Sequence, residues 1–167
     1  MAANAQRTAR TPDGRTLAIE EAGDPAGRPV LVHFGTPNSR HLYAPVAADA
    51  AARGLRLIGY DRPGYGGSTP QPGRTVADAA ADVRAICAEL GIGRLAMWGI
   101  SGGGPHVLAC AALLPDTVIS RCWLTASARF TPGWPSACNE CNEADATSRA
   151  HESRISGVNL YCMPSGN

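Results

Sequence analysis

The sequence predicts an α/β fold with a mainly parallel β-sheet, and three observations support this prediction. Short apolar runs, typical of strands that are buried on both faces, alternate with stretches of helical periodicity. Most of the apolar runs end in loops rich in glycine, proline or asparagine. The run before Ser101 leads into a glycine-rich turn and then a second apolar run, which indicates a strand, a tight turn and a helix.

The first half of the chain contains three strand candidates and one helix candidate. Alternation of apolar and polar residues predicts an early strand within residues 15–21. The apolar runs at residues 29–34 and 55–60 have the composition of buried parallel strands. Between these two runs, the alanine-rich stretch at residues 44–52 is a helix candidate.

Strand and helix candidates continue to alternate in residues 75–125. Thr75, with Asp78 three residues later, is the N-cap expected for a helix that ends at Gly91. The strand and helix around Ser101 follow, and then a last strand candidate at residues 117–125. Ligand sites in parallel sheets lie beyond the carboxyl ends of the strands, so we expect the loops that follow these strands to converge there.

The remaining residues have a different character. Residues 126–167 show little apolar periodicity and contain many Asn, Ser, Pro and Gly residues. We predict neither helix nor strand in them, and we expect loop or disorder at residues 132–135 and 164–167. The sequence therefore predicts a folded unit, residues 1–125, and an irregular tail, residues 126–167.

Composition excludes several classes of function. The net charge is +1 and only 5% of the residues are aromatic, so we expect no nucleic-acid or anionic membrane partner. The polar N-terminus and the short longest apolar run, residues 107–114, lead us to expect a soluble, cytoplasmic protein. The chain has no lysine, which excludes Schiff-base chemistry, a serine–lysine dyad and a P-loop. We expect no cofactor and no metal.

The motif around Ser101 predicts a catalytic serine. In the pattern Gly99-x-Ser101-x-Gly103, the serine occupies strained backbone at a sharp strand-to-helix turn. The flanking chain passes so close that only glycine fits two residues before and after it. The turn exposes the hydroxyl and directs the free N–H groups of the next helix towards it. The alternative is a non-catalytic tight turn or a phosphate loop, but neither a Gly-x-Gly-x-x-Gly pattern nor a lysine is present.

Other polar residues have simpler interpretations. Asp61 and Arg62 could form a catalytic pair, but we expect them, with Tyr65 and Ser68, to cap and pin the loop at residues 64–68.

The tail offers two alternatives. Cys138, Cys141, His151 and Cys162 could together bind zinc, although their spacing fits no compact zinc finger. Asp145 and His151 could form an acid–base dyad, although six residues leave no room for a strand and a helix between them. We expect neither.

Three ordered motifs resemble those of the α/β-hydrolase superfamily, in particular its small bacterial esterase- and peptidase-like members. Residues 32–37 (VHFGTP) resemble the oxyanion loop, although Phe34 stands where histidine is frequent. Residues 60–68 (YDRPGYGGS) resemble the glycine-rich loop after the fourth strand, and residues 99–103 match the nucleophile elbow. The resemblance covers roughly residues 14–125.

This resemblance implies that Ser101 is the nucleophile and that the backbone N–H groups of Gly102 and Thr36 form the oxyanion hole. Such donors hold the negative oxygen of a tetrahedral intermediate. A serine at the elbow argues against the dehalogenases and epoxide hydrolases of the superfamily, which place Asp there. The substrate implied is a small molecule with an ester, thioester or amide bond.

In the family, the acid and the histidine follow the serine in the chain, after later strands. The resemblance ends before them, so we expect a fold truncated after about the sixth strand. A frame-shifted, mis-spliced or truncated gene would explain the tail, and a longer downstream reading frame in another phase would support that hypothesis. His106 points away from Ser101 along the same helix, and a structural, hydrogen-bonded role is expected for His33. Without a positioned base the serine hydroxyl is a poor nucleophile.

Two functions therefore stay open. The first is a serine hydrolase whose activity in this chain is doubtful. The second is a non-catalytic fragment or partner-binding module. An uncovered edge at the sixth strand would also favour self-association.

Overall fold

The computed structural model describes residues 4–124, 151–155 and 158–164. Its strands are β1 (Ala5–Arg10), β2 (Thr16–Gly23), β3 (Arg28–His33), β4 (Leu55–Tyr60), β5 (Leu95–Ile100), β6 (Val118–Leu124), β7 (His151–Ile155) and β8 (Val158–Pro164). Its α-helices are α1 (Ala44–Ala52), α2 (Ala79–Leu90) and α3 (Gly104–Leu113). Short 3₁₀ turns, Val76–Asp78 and Ser101–Gly103, precede α2 and α3.

The strands form a single mixed sheet in the order β1-β2-β4-β3-β5-β6-β8-β7. The four central strands, β4, β3, β5 and β6, are parallel to one another. Antiparallel pairs flank them at both edges. The predicted α/β class is confirmed. None of the helices within the described ranges is long and apolar enough to cross a membrane.

Helices cover both faces of the sheet, which explains why the central strands are apolar throughout. Successive side chains of a strand point to opposite faces. The buried residues therefore fall into two clusters, one against α2 and α3 and one against α1. Leu31, Ile58 and Met97 belong to the first cluster, whereas Val32 and Trp98 belong to the second.

The cap predicted for α2 is present. Thr75 and Asp78 form a reciprocal capping box at the 3₁₀ turn, with the Thr75 N–H donating to the Asp78 carboxylate at 2.6 Å. The helix ends at Gly91, whose φ of 65° lies in the left-handed region that glycine adopts without steric cost.

The structure contains three strands that the sequence did not predict. In β1 only Ala9 is buried, so this edge strand carries no apolar alternation that could reveal it. In the tail, β7 and β8 form an antiparallel hairpin, and β8 pairs with β6. The edge of β6 that we expected to be uncovered is therefore occupied by β8, which removes the ground on which self-association through that edge was expected. Residues 125–150, 156–157 and 165–167 lie outside the described residues.

Glu20 on β2 joins the N-terminal hairpin to the loop before α1. Its carboxylate accepts hydrogen bonds from Asn4 (2.6 Å), Gln6 (2.7 Å) and the Leu42 N–H (2.9 Å), and it lies 2.7 Å from His41 Nδ1. Burial would raise the pKa of Glu20, but these hydrogen bonds outweigh burial and lower the pKa to about 2.

This depressed pKa predicts a pH-dependent contribution to stability. Above the unfolded pKa, 4.5 in the reference state, we expect Glu20→Gln to lower the free energy of unfolding by about 3 kcal/mol. The difference between wild type and variant should shrink as the pH falls from about 4.5 to about 2. Urea denaturation across this range measures it. A difference that is constant with pH would contradict the assignment.

Candidate active site

The candidate site lies where the order of the parallel strands reverses. The chain leaves β3 towards β4 on one side and leaves β5 towards β6 on the other, so a crevice opens beyond the carboxyl ends of β3 and β5. Gly35 and Thr36 follow β3, and Ser101 follows β5. A Cβ atom built on Gly35 would lie only 3.4 Å from the Ser101 Cβ atom. The predicted convergence of these two loops is thus confirmed.

Ser101 has the backbone conformation that the elbow motif predicts. Its φ of 49° makes it the only non-glycine residue with a positive φ within the described part of the chain. Holding an L-residue in this region costs of order 1–3 kcal/mol, and such strain concentrates at functional sites. The residue is exposed, so its hydroxyl is open to a ligand.

The two glycines of the motif are required by close contacts. A Cβ atom on Gly99 would lie 2.9 Å from Val107 Cγ2 and 3.0 Å from the Gly104 backbone. A Cβ atom on Gly103 would overlap the carbonyl oxygen of His33 and lie 2.6 Å from its carbon. Because helix α3 starts directly against β3 and β5, no side chain fits at either position.

The loop after β3 meets the start of α3 beside Ser101. A Cβ atom on Gly102 would lie 3.1 Å from Thr36 Oγ1 and 3.6 Å from the Thr36 backbone nitrogen. Backbone amides at the start of a helix have no intrahelical acceptor and are available to an anion. Pro105 occupies the first turn of α3, where the absence of an N–H costs nothing.

The glycine-rich loop after β4 is pinned by Asp61. This fully buried carboxylate accepts hydrogen bonds from the backbone N–H groups of Gly67 (2.8 Å) and Arg40 (2.7 Å), and from the Arg40 guanidinium. Ser68 adds a second tie, because its hydroxyl donates to the Asp61 carbonyl (2.6 Å) and accepts from the Ala18 N–H (2.9 Å). The structural roles expected for Asp61 and Ser68 are therefore confirmed.

Arg62 departs from the prediction. We expected it to pin the loop at residues 64–68, but its guanidinium crosses to the neighbouring strand and binds residues 34–36. Within its own loop, Arg62 contacts Tyr65: its guanidinium carbon Cζ lies 5.5 Å from the ring centroid, and its carbonyl accepts a hydrogen bond from the Tyr65 N–H at 2.9 Å. Sequence spacing could not reveal this contact, because it depends on which strands are neighbours in the sheet.

The rings of His33 and His106 are stacked, with centroids 5.6 Å apart. Burial, with the nearby positive charge of Arg62, lowers the pKa of His106. Burial and the proximity of His106 lower the pKa of His33 to about 3. Both rings are therefore neutral near pH 7.

The rings of His33 and His106 contact groups other than the Ser101 hydroxyl. His106 Nδ1 lies 3.1 Å from the Gly102 carbonyl, which can only accept, so Nδ1 carries the proton. His33 Nε2 lies 3.8 Å from Cys110 Sγ, and His33 Nδ1 has no hydrogen-bond partner among the described residues. The hydrogen-bonded role expected for His33 is thus only partly met.

A small open cavity of about 210 Å³ adjoins this region. It is lined by Thr36, Arg62, Pro63, Tyr65, Arg74, Thr75, Val76 and His106. Within the described residues no cluster of His, Cys, Asp and Glu side chains could hold a metal ion. The tail residues considered for zinc or for an acid–base dyad have no described side chains.

Comparison with known proteins places this architecture in a family. Residues 28–152 match the family described as "alpha/beta hydrolase fold". The chain is 30% identical over 116 residues to a proline iminopeptidase of Xanthomonas citri, an alignment that covers 64% of this chain and 35% of the relative. It is also 30% identical over 131 residues to the AB hydrolase superfamily protein YisY of Bacillus subtilis, covering 75% of this chain and 48% of the relative.

Solved structures give the same result. A thermophilic esterase from Thermogutta terrifontis is 31% identical, with a TM-score of 0.57, over 70% of this chain and 43% of that chain. An epoxide hydrolase of Vigna radiata has a TM-score of 0.60 over 72% of this chain and 38% of that chain, and at 21% identity it indicates the fold alone. The chain thus spans about a third to a half of the length of the proteins it matches. From the family match and the strand order together, we conclude that the chain belongs to the α/β-hydrolase family.

Proposed function

We propose that this chain carries the nucleophilic part of a serine hydrolase site that acts on an ester, thioester or amide bond. In this proposal, Ser101 Oγ attacks the carbonyl carbon and the carbonyl π electrons move to oxygen. The N–H groups of Gly102 and Thr36 hold the resulting oxyanion. Collapse of this intermediate expels the leaving group, which takes the serine proton by way of a base, and water then hydrolyses the acyl-enzyme.

The observation that carries this proposal is the strained, exposed Ser101 at the carboxyl end of β5, with Thr36 beside Gly102. A serine serves no structural purpose in left-handed backbone, where glycine would fit without strain. The position is useful only if the hydroxyl itself is needed. The relatives named as a proline iminopeptidase and an esterase act on carbonyl carbons, which is consistent with such a nucleophile.

One observation favours the second candidate, a non-catalytic chain or partner-binding module. The three histidines with described side chains contact other groups: His33 contacts Cys110, His41 contacts Glu20 and His106 contacts the Gly102 carbonyl. Among the side chains that the structure describes, no imidazole is therefore hydrogen-bonded to Ser101. The general base stays unassigned, and turnover by this chain requires a base from elsewhere.

An active-site probe separates the two candidates. A fluorophosphonate reacts with an activated serine, forming an Oγ–P bond and releasing fluoride. The hydrolase proposal, with its base supplied from outside the described side chains, predicts labelling of the folded protein, located at Ser101 by mass spectrometry and abolished in Ser101→Ala. Circular dichroism of the variant should match that of the wild type, because removal of an exposed hydroxyl leaves the fold intact. Folded protein that is not labelled would reject the hydrolase and favour the second candidate.

A further inference from the structure

The loop that carries the Thr36 N–H is held by a single side chain from the neighbouring strand. Arg62 Nη1 donates to the Phe34 carbonyl at 2.6 Å, and Nη2 donates to the Gly35 carbonyl at 3.1 Å and to Thr36 Oγ1 at 2.9 Å. Three consecutive residues are thereby bound to one planar group. The guanidinium fork is rigid, so it fixes the orientation of the loop as well as its position.

The charge of Arg62 is not neutralised by a carboxylate in the described part of the chain. Its three acceptors are uncharged oxygens, and its neighbour Asp61 is committed to Arg40 and Gly67. Arg62 is nevertheless 93% buried, since its exposed fraction is 7%. Burying a charge without a counter-ion is costly. The hydrogen bonds that the charged guanidinium donates to these three oxygens offset part of that cost.

This positive charge acts on the candidate site. It contributes to the lowered pKa of His106, after burial, and to that of His33, after burial and the proximity of His106. Arg62 also lines the cavity of about 210 Å³ together with Thr36 and His106. A charge in this position favours the development of negative charge on a nearby oxygen more than it favours a neutral carbonyl.

We propose that Arg62 is a positioning residue for the oxyanion hole. It holds the Thr36 N–H in place through the fork to residues 34–36, and it supplies an unneutralised positive charge behind that loop. This inference rests on the proposed serine hydrolase function. It predicts that Arg62 acts on the transition state and not on the binding of the ground state, because it contacts the loop and not the reacting carbonyl.

The test compares Arg62→Ala and Arg62→Lys in the fluorophosphonate reaction. The maximal rate constant for labelling of Ser101 should fall about 100-fold in Arg62→Ala, the size expected when an oxyanion donor is lost or displaced. It should fall about tenfold in Arg62→Lys, which keeps the charge but cannot span three acceptors. The probe concentration at half-maximal rate should stay unchanged in both variants.

Two controls separate positioning from general destabilisation. Millimolar guanidinium should restore part of the labelling rate in Arg62→Ala, whereas methylammonium should not. Arg53→Ala removes the C-cap residue of α1, which pairs with Asp49 one turn earlier, and this variant should label at the wild-type rate.

The outcomes distinguish the two proposals. An unlabelled wild-type protein would refute the serine hydrolase, and hence the catalytic part of this inference. The structural part of the inference, that Arg62 holds the loop at residues 34–36 in place, would then be tested by backbone amide hydrogen exchange. Exchange at Gly35 and Thr36 should be faster in Arg62→Lys than in the wild type. A labelled wild type with unchanged rates in the Arg62 variants, or with an effect on half-maximal concentration alone, would overturn the assignment of Arg62. If Arg62→Ala does not fold, Arg62→Lys provides the same measurements.

Discussion

Gly103→Ala is expected to remove at least about 3 kcal/mol of the free energy of unfolding, because the added methyl group has no space. The new Cβ atom would overlap the His33 carbonyl oxygen and lie 3.0 Å from the Phe34 oxygen. Both obstacles are backbone atoms, and no side-chain rotation can relieve them. Either α3 must move away from β3, or the loop carrying Thr36 must shift. Urea denaturation followed by far-UV circular dichroism measures the loss.

A matched substitution isolates this steric effect. Gly93 lies in the short turn between α2 and β5, and a Cβ atom there would meet no atom within 4 Å. We expect Gly93→Ala to change the free energy of unfolding by no more than about 0.5 kcal/mol. Equal effects of the two substitutions would mean that α3 does not approach β3 as described.

Asp82→Ala is expected to destabilise the protein by about 3 kcal/mol, because it removes the buried counter-ion of Arg15, which then keeps only the half-exposed carboxylate of Asp13, 2.7 Å from its Nε. Asp82 on α2 is fully buried and binds the guanidinium groups of Arg15 and Arg74, each at 2.9 Å. Arg15 is itself only 8% exposed. The ion pair fastens α2 to the start of β2, so its loss should lower the midpoint of thermal unfolding sharply.

Two further variants test the cause. Asp49→Ala removes a partly exposed carboxylate of α1 that pairs with Arg53, the C-cap residue of the helix, and should cost less than about 1 kcal/mol. The double variant Arg15→Met/Asp82→Met should recover much of the stability lost in Asp82→Ala, because no buried charge of this pair is then left alone. A double variant as unstable as Asp82→Ala would indicate that α2 depends on the carboxylate for another reason.

Local patterns were sufficient for most of the fold. The central strands were predictable because each is buried on both faces and is therefore apolar throughout. The start and end of α2 were predictable because Thr75, Asp78 and Gly91 act through neighbouring backbone. Strand β1 was not predictable, since five of its six residues are exposed and its stability comes from pairing with β2.

Part of the candidate site could likewise be predicted from local sequence, and part could not. The elbow at Ser101 could be inferred from sequence because its strain and its glycine requirement arise within five consecutive residues. The proximity of Thr36 to Gly102 was expected only through resemblance to a family. The ion pair of Asp82 with Arg15 spans 67 residues of sequence, and no pattern in either segment indicates it. The catalytic roles of Ser101, Gly102 and Thr36, and the division of the chain at residue 125, stay predictions.

The sequence by itself determined the alternation of strands and helices and the sharp turn that presents Ser101. These features depend on interactions between residues close in the chain, so their signals are periodicity, caps and glycines. Only the tertiary structure decided which loops meet that turn and that Arg62 serves the loop after β3 instead of its own. Such contacts follow from strand order, and strand order is set by packing of the whole sheet, which no single segment encodes.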